Sequence, residues 1–444
     1  MIIALELIIF FACILIGARL GGIALGTVAG IGLAIFVFVF ALPPGGPPPG
    51  VLGMIIAVIT ALATMQAAGG LDYLVSLAER VMRKHPQQIV FIAPIATYLL
   101  VLGSGTTHVI YALLPVISEV ARKGNVRPER PLSISVIAGL HGATASPISA
   151  STVAMLGFLS ARGVSLPRML AVIIPATFVA VLIGALSVAW RGKNLANDPE
   201  YQRRLAHGEV KVNESPATAQ TNLRRARGSM VLFLIGIVAV VLIGIFPALR
   251  PMYQVITDGG VDTDQVSMGY AIMIVMIAVS GLTMILFRAS PETAIKGTIM
   301  RSGITAIVSI LGISWLGSSF FEGNRGAIVA TISTLVKIYP ISFALGMFLL
   351  STMLFSQAAT VSLMVPVGQA LGVPTAMLVA FYPACDGLFL VPTYGTLLAA
   401  VSFDQTGTTR IGKYLLNHSF MRPGLVTLVV ALVISIGLSK LLIP

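Results

Sequence analysis

The sequence predicts an all-α polytopic membrane protein made of two inverted repeats, each with one re-entrant hairpin and one discontinuous helix. Three observations carry that prediction: an apolar composition, proline landmarks that recur in order in two halves, and polar interruptions inside apolar runs. Hydrophobic residues make up 57% of the 444 residues and charged ones only 10%, against about 25% charged in a soluble domain. Runs of roughly 20 apolar residues span a bilayer. Clear ones are Leu20–Leu42, Val51–Ala68, Leu170–Trp190, Val231–Leu249, Met268–Phe287 and Leu425–Leu442.

In chain order, Ile2–Ile16 has no basic leader and no small-residue cleavage site, and it contains Glu6. It reads as a retained transmembrane helix, not a signal peptide. Gly22, Gly26 and Gly30 form a close-packing stripe that serves a seam within the chain or between two copies, the first being favoured. Pro43–Gly50 is uncharged and rich in Pro and Gly, a stiff external connector. Cys13 and Cys385 lie in apolar segments and read as unpaired buried thiols. The five histidines have no metal-ligand spacing, so neither a metal nor a cofactor is expected. The net charge of +12 sits in short loops between apolar spans; the positive-inside rule accounts for it without nucleic acid. With the N-terminus outside, 22 Lys and Arg fall inside and six outside, and both termini face outward.

The repeat is read from prolines. His85-Pro86 matches Tyr339-Pro340, Leu114-Pro115 matches Val365-Pro366, Ser146-Pro147 matches Val391-Pro392, and Pro175 matches Pro423. This gives a first repeat over 1–190, a basic cytoplasmic linker over 191–228 and a second repeat over 229–444. Each half reads as three spanning helices, an amphipathic stretch, a hydrophobic hairpin, a broken helix and a final helix. A re-entrant hairpin leaves five crossings per half, and an odd number inverts the second half. That is the plan of secondary transporters, with substrate held near the midplane by discontinuous helices.

Four segments carry the chemistry. Gly103–His108 places Gly105, Thr106, Thr107 and His108 between two apolar arms, as a hairpin tip with free N–H groups or an ordinary loop. N–H groups and helix N-termini attract anions. Ala143–Thr152 interrupts an apolar run with Thr144, Ser146, Pro147 and Ser149. The proline breaks the helical ladder, either to free polar groups or merely to kink a structural helix. Ser356–Thr360 holds the tip position of the second half, with Gln357 as an intramembrane amide and Thr360 one turn on. Asp386–Thr396 combines a carboxylate, Pro392, Thr393, Tyr394 and Thr396. Asp386 is a candidate for a coupling proton or Na⁺, or a cap for unwound backbone. Gly105, Ser146 and Ser356 are the other coupling-ion candidates. No Arg or Lys stands clearly at the midplane, so a dianion would be held by N–H groups, helix dipoles and hydroxyls. Gly407–Lys413 approximates a phosphate-binding loop, but Tyr414 occupies the hydroxyl position and no strand precedes it, which excludes ATP binding. Paired catalytic carboxylates and nucleophile–base spacings are absent, so an enzyme is not expected.

Several stretches together resemble the anaerobic C4-dicarboxylate transporter (Dcu) family. They are Gly17–Gly22, Gln66–Tyr73, His108–Ser118, Val126–Pro131, Thr144–Ser149, Pro392–Tyr394 and Thr406–Lys413. The resemblance implies a transporter of fumarate, succinate, malate or aspartate in the bacterial inner membrane, working as an antiporter against succinate. It also implies a homodimer with an elevator-like motion, as in the wider ion-transporter superfamily. The tips would be Thr106–His108 and Gln357–Thr360, and the facing breaks Ser146–Ser149 and Pro392–Thr396. Thr107, Gly139–Gly142 and Gly395 depart from the family pattern and flank that site. A carrier of citrate or gluconate, or a partner of a membrane sensor kinase, is the alternative.

Overall fold

A computed structural model describes residues 2–20, 22–47, 49–210, 222–257, 260–392, 394–412 and 416–443. The chain begins as two apolar helices, α1 (Ile2–Leu20) and α2 (Ala24–Phe38). α2 takes up the expected apolar run from Leu20 to Leu42; Gly22, at φ +57°, turns the chain between the helices, a conformation glycine enters without steric cost. α3 (Pro49–Ala67) follows the proline-rich connector, and α4 (Gly70–Lys84) leaves it at Gly69. α4 buries Leu71 and Met82 and exposes Arg80 and Lys84, as an interfacial helix does.

Next come α5 (Ile89–Ser104) and α6 (Ile110–Lys123), a helical hairpin with a short 3-10 turn at Thr107–Val109. Arg83 of α4 grips Glu119 of α6 through bonds of 3.0 and 3.3 Å. α7 (Glu129–Ala145) and α8 (Ala150–Leu159) are the two pieces of a broken helix, and α9 (Leu166–Ala189) runs on from them. Every residue of α7 is buried, so protein, and not lipid, surrounds the break. α10 (Pro199–Ala206) is capped by Asp198. α11 (Leu223–Ile245) takes the last basic residues of the expected linker, Arg224, Arg225 and Arg227, into its first turns.

The all-α expectation is corrected at one place. β1 (Met252–Thr257) and β2 (Gly260–Gln265) pair as an antiparallel hairpin. Their β-branched residues favour extended backbone, and Asp262 and Asp264 keep the segment from extending an apolar helix. Then follow α12 (Met268–Phe287), α13 (Pro291–Lys296) and α14 (Thr298–Ile338). α14 runs 41 residues unbroken. The third helix and the amphipathic stretch expected after it are therefore one helix, because no proline interrupts them before Pro340. The second hairpin is α15 (Ile341–Leu354) with α16 (Gln357–Ala370). The second broken helix is α17 (Thr375–Ala380), a 3-10 run at Tyr382–Phe389, and α18 (Gly395–Phe403). α19 (Met421–Leu442) ends the chain.

Among the described residues, eight helical stretches are long and apolar enough to cross a membrane, from Pro49–Ala67 to Met421–Leu442. With the shorter apolar α1 and α2 they make a multi-pass membrane protein. The helices pack as two groups. One comprises α1–α4, α11, α12 and α14; the other holds both hairpins, both broken helices, α9 and α19. They meet where α14 lies against α16, α3 against α8, and α4 against α5.

Glycines set the closest approach inside the first group. A Cβ on Gly26 would lie 2.0 Å from the Val308 carbonyl oxygen, and one on Gly312 would lie 2.0 Å from that of Gly26. Gly30 faces open space, so of the stripe only Gly26 serves the α2–α14 seam.

The phosphate-loop-like segment is a turn wrapped around a carboxylate. Asp404 accepts bonds from the Thr406 and Thr409 N–H groups at 2.9 and 2.6 Å. It also accepts from the hydroxyls of Thr406 at 2.5 Å and Thr408 at 2.8 Å. Thr408 in turn accepts the Glu129 N–H at 3.1 Å, tying this turn to the start of α7. Arg127 bonds both Glu129 (2.7 Å) and Asp198, which docks α10 on the same end.

Candidate functional site

Both hairpin elbows open onto one cavity of about 310 Å³ at the seam between the two helix groups. Its geometry follows from how each break is capped. At the first elbow Gly105 sits at φ +69° and Thr106 is extended; the Thr106 hydroxyl accepts the His108 N–H at 3.3 Å. At the second, Phe355 is left-handed and Ser356 extended. The Ser356 hydroxyl accepts the Ala359 N–H at 3.2 Å. In the first broken helix, Ser149 caps α8 by accepting the Thr152 N–H at 3.2 Å. In the second, Tyr394 stands at the N-cap of α18 without a side-chain cap. Serine and threonine hold such positions because their oxygens satisfy one of the free N–H groups at a helix start.

The result is four helix beginnings on one cavity: Thr106–His108, Ser149–Ser151, Ser356–Ala358 and Tyr394 all line it. Each beginning carries free N–H groups and the positive end of a helix dipole. No Asp, Glu, Lys or Arg is among the described lining residues. α14 forms the opposite wall with Ser302, Thr305 and Ser309. Such a chamber suits an anion held by neutral donors.

The expected site residues divide. Gly105, Thr106, Thr107, His108, Ser149, Ser356, Gln357 and Tyr394 line the cavity, and Thr107 and Tyr394 bring their hydroxyls within 3.4 Å. Ser146, Pro147, Thr144, Thr360, Pro392, Thr396 and Asp386 do not. Ser146 stays inside its own break, accepting the Ile148 N–H at 3.4 Å, and Pro147 is buried beside it. Thr360 bonds back to the Ser356 carbonyl at 2.8 Å. Pro392 and Thr396 are buried, and Thr393 lies outside the described residues. Among them, the helical Thr144 and Thr360 are committed to bonds on other faces of their helices, since successive residues of a helix are rotated by about 100°.

Thr144 and Asp386 form a second layer beneath the floor. The Thr144 hydroxyl donates to Asp386 Oδ1 at 2.7 Å. The Gln357 amide donates to the same oxygen and, at 2.9 Å, to the Leu140 carbonyl. Thr152 joins the Tyr382 hydroxyl at 2.9 Å. His141 Nδ1 lies 2.7 Å from Asp386 Oδ2, both groups being 1% exposed.

Sequence reasoning missed His141, Ser151 and the three α14 hydroxyls. Ser302, Thr305 and Ser309 do follow helical spacing on one face, a signal legible in the sequence. His141 stands out in the sequence only as part of a departure from the family pattern. Another departure has a physical reason. A Cβ on Gly395 would lie 2.3 Å from the Tyr111 hydroxyl, so glycine there leaves room for the end of that side chain.

Comparison with known proteins agrees over the whole chain. The family described as "Anaerobic c4-dicarboxylate membrane transporter" matches residues 2–443. Anaerobic C4-dicarboxylate transporter DcuB of Escherichia coli O157:H7 is 40% identical over 435 residues, 96% of each chain. C4-dicarboxylate transporter DcuA of Wolinella succinogenes is 38% identical over 439 residues, 99% of this chain and 98% of that one. Among solved structures, the Alcanivorax borkumensis YdaH transporter aligns with a TM-score of 0.59 at 18% identity, covering 88% of this chain and 84% of that one. Neisseria gonorrhoeae MtrF aligns with a TM-score of 0.53 at 13% identity, covering 92% and 83%. These two bear on the fold alone. The relatives are transporters and not enzymes, in line with the reading of the residues. The chain belongs to the anaerobic C4-dicarboxylate membrane transporter family.

Proposed function

We propose that this protein is a secondary transporter that exchanges C4-dicarboxylates, fumarate, malate or aspartate against succinate, across a bacterial inner membrane. The observation that carries the reading is the convergence of four helix beginnings on one cavity whose described lining is free of acidic side chains. Two carboxylates a few ångströms apart need two sets of donors, and the paired elbows and breaks supply them from opposite sides. Neutral donors also release what they bind, as a carrier must. The names of the DcuB and DcuA relatives support the substrate class.

Alternating access has a natural seam in this reading. The hairpins, broken helices, α9 and α19 move as one body, while α14 and its neighbours stay as the frame. The first arm of the second hairpin is too short for a full crossing, since α15 has 14 residues, about 21 Å at 1.5 Å per residue, against about 30 Å of hydrocarbon; in this reading the first hairpin is re-entrant as well. With re-entrant hairpins each half crosses five times, which makes the halves inverted repeats, joined by the linker 191–228, and puts both termini on the periplasmic side. A homodimer would anchor the frame. Thr106, Thr107, Ser149, Ser356 and Tyr394 are the donors assigned to the dianion.

The test is counterflow in proteoliposomes: labelled fumarate outside, unlabelled succinate inside, with citrate and gluconate as competitors. The expected result is saturable fumarate entry driven by internal succinate and blocked by other C4-dicarboxylates. Tyr394→Phe with Thr107→Val should raise KM about tenfold, the loss of roughly one net hydrogen bond. Entry that citrate blocks better than succinate, or an unchanged KM in the double variant, overturns the assignment.

A further inference from the structure

Among the described residues, His141 and Asp386 are a buried pair of ionisable side chains that the substrate reading leaves unused. They sit 245 residues apart in sequence and 2.7 Å apart in space. Apart from this contact with each other, the buried atoms His141 Nδ1 and Asp386 Oδ2 have no hydrogen-bond partner among the described residues. An ionisable pair held in the membrane interior is costly, and such groups mark proton and ion pathways.

We propose that His141 and Asp386 form a proton-binding site coupled to transport, with Gln357 carrying its state to the cavity. The proposal rests on the dicarboxylate reading above. With the imidazole neutral and Asp386 ionised, the pair carries one negative charge. Uptake of one proton, from water admitted on the side to which the cavity opens, makes it neutral, whichever of Nδ1 and Oδ2 holds the proton. No other bond is made or broken.

Gln357 links this change to substrate. Its amide both lines the cavity and donates to Asp386 Oδ1. An ionised carboxylate holds that N–H; a neutral carboxyl accepts it more weakly. Proton uptake therefore frees an amide donor for a substrate carboxylate and removes a negative charge from beneath a dianion. Both effects tighten binding in the protonated state, and by linkage substrate binding draws in the proton.

Few other ionisable groups are described around the pair. Cys385 lies 4.0 Å from Asp386 Oδ1, and the phenols of Tyr382 and of Tyr98 on α5 are near it. The segments α15, α16 and α17 contain no charged residue. Those of α9 and α19 stand near their ends, at Arg168, Arg422 and Lys440. α7 adds only Glu129 and Arg130, at its far end.

The experiment counts protons moved per dicarboxylate, with a pH dye inside proteoliposomes during net succinate uptake, alongside succinate–fumarate exchange. The wild type should take in protons with succinate, and an inward proton gradient should raise its net uptake about tenfold where a Na⁺ gradient does not. Asp386→Asn mimics the neutral state. It should abolish proton movement per dicarboxylate while exchange persists. The double variant His141→Ile with Asp386→Asn, which leaves no buried charge, should do the same. Protons still moving in either variant overturn the proposal, as does net uptake by the wild type driven by Na⁺ alone. Loss of exchange together with coupling in both variants assigns the pair to stability and also overturns it. A wild type that exchanges no dicarboxylate overturns the reading beneath it, an outcome the exchange arm separates from a failure of coupling.

Discussion

Gly105→Ala tests the contact between the first elbow and the first helix break. Gly105 has φ +69°, and a Cβ there would lie 2.9 Å from Ile148 Cγ1, 3.1 Å from Cδ1 and 3.2 Å from the Ile148 carbonyl oxygen. The left-handed backbone costs alanine about 1 kcal/mol. The carbon contacts need roughly half an ångström of relief, and crowding of this kind in packed interiors costs about 1–3 kcal/mol. The two together amount to about 2–4 kcal/mol against the closed elbow. Transport that depends on closure should then fall by one to three orders of magnitude at about 1.4 kcal/mol per factor of ten. The assay is the initial rate of fumarate counterflow, with Ile148→Ala as the second arm of a double-mutant cycle. Removing the Ile148 branches should recover the steric share of the loss but leave the backbone share. Wild-type rates in Gly105→Ala, or no recovery in the double variant, would refute the claim that elbow and break must touch.

Two further outcomes follow from packing. Asp404→Asn keeps one acceptor oxygen and turns the other into a donor facing a donor, so two of four bonds to a charged group are lost. The expected cost is about 3 kcal/mol, read as a lower thermal midpoint in detergent; an unchanged midpoint would refute it. Gly26→Val places a branched side chain against backbone that a single Cβ would approach to 2.0 Å. It should separate α2 from α14 and reduce folded yield, whereas Gly30→Val, which faces open space, should not; equal yields would show that the stripe does not set the helix approach.

Much of the fold is legible in the residues themselves. Composition alone identifies a membrane protein, because bilayer insertion is a local property of each segment. The turn points are legible for a similar reason. Proline removes a donor where it stands, and Ser or Thr beside it caps the next helix start, so Ser149, two residues after Pro147, announces itself locally. Side-chain direction is not legible. Thr106 and Thr107 reach the cavity, while Ser146 and Thr360 turn inward. A shift of one residue rotates a side chain by about 100°, and only packing decides which face looks into the cavity.

The class, the hairpin elbows, the helix breaks and the family are all written in the order of the amino acids. What faces what is a property of the assembled helices. Their packing brings α14 across the cavity with Ser302, Thr305 and Ser309, and docks the turn around Asp404 on the start of α7 through Thr408 and Glu129. It also sets His141 against Asp386. These are contacts between segments tens to hundreds of residues apart, and no local pattern encodes them. They form only when the helices pack, which brings those distant side chains within bonding distance.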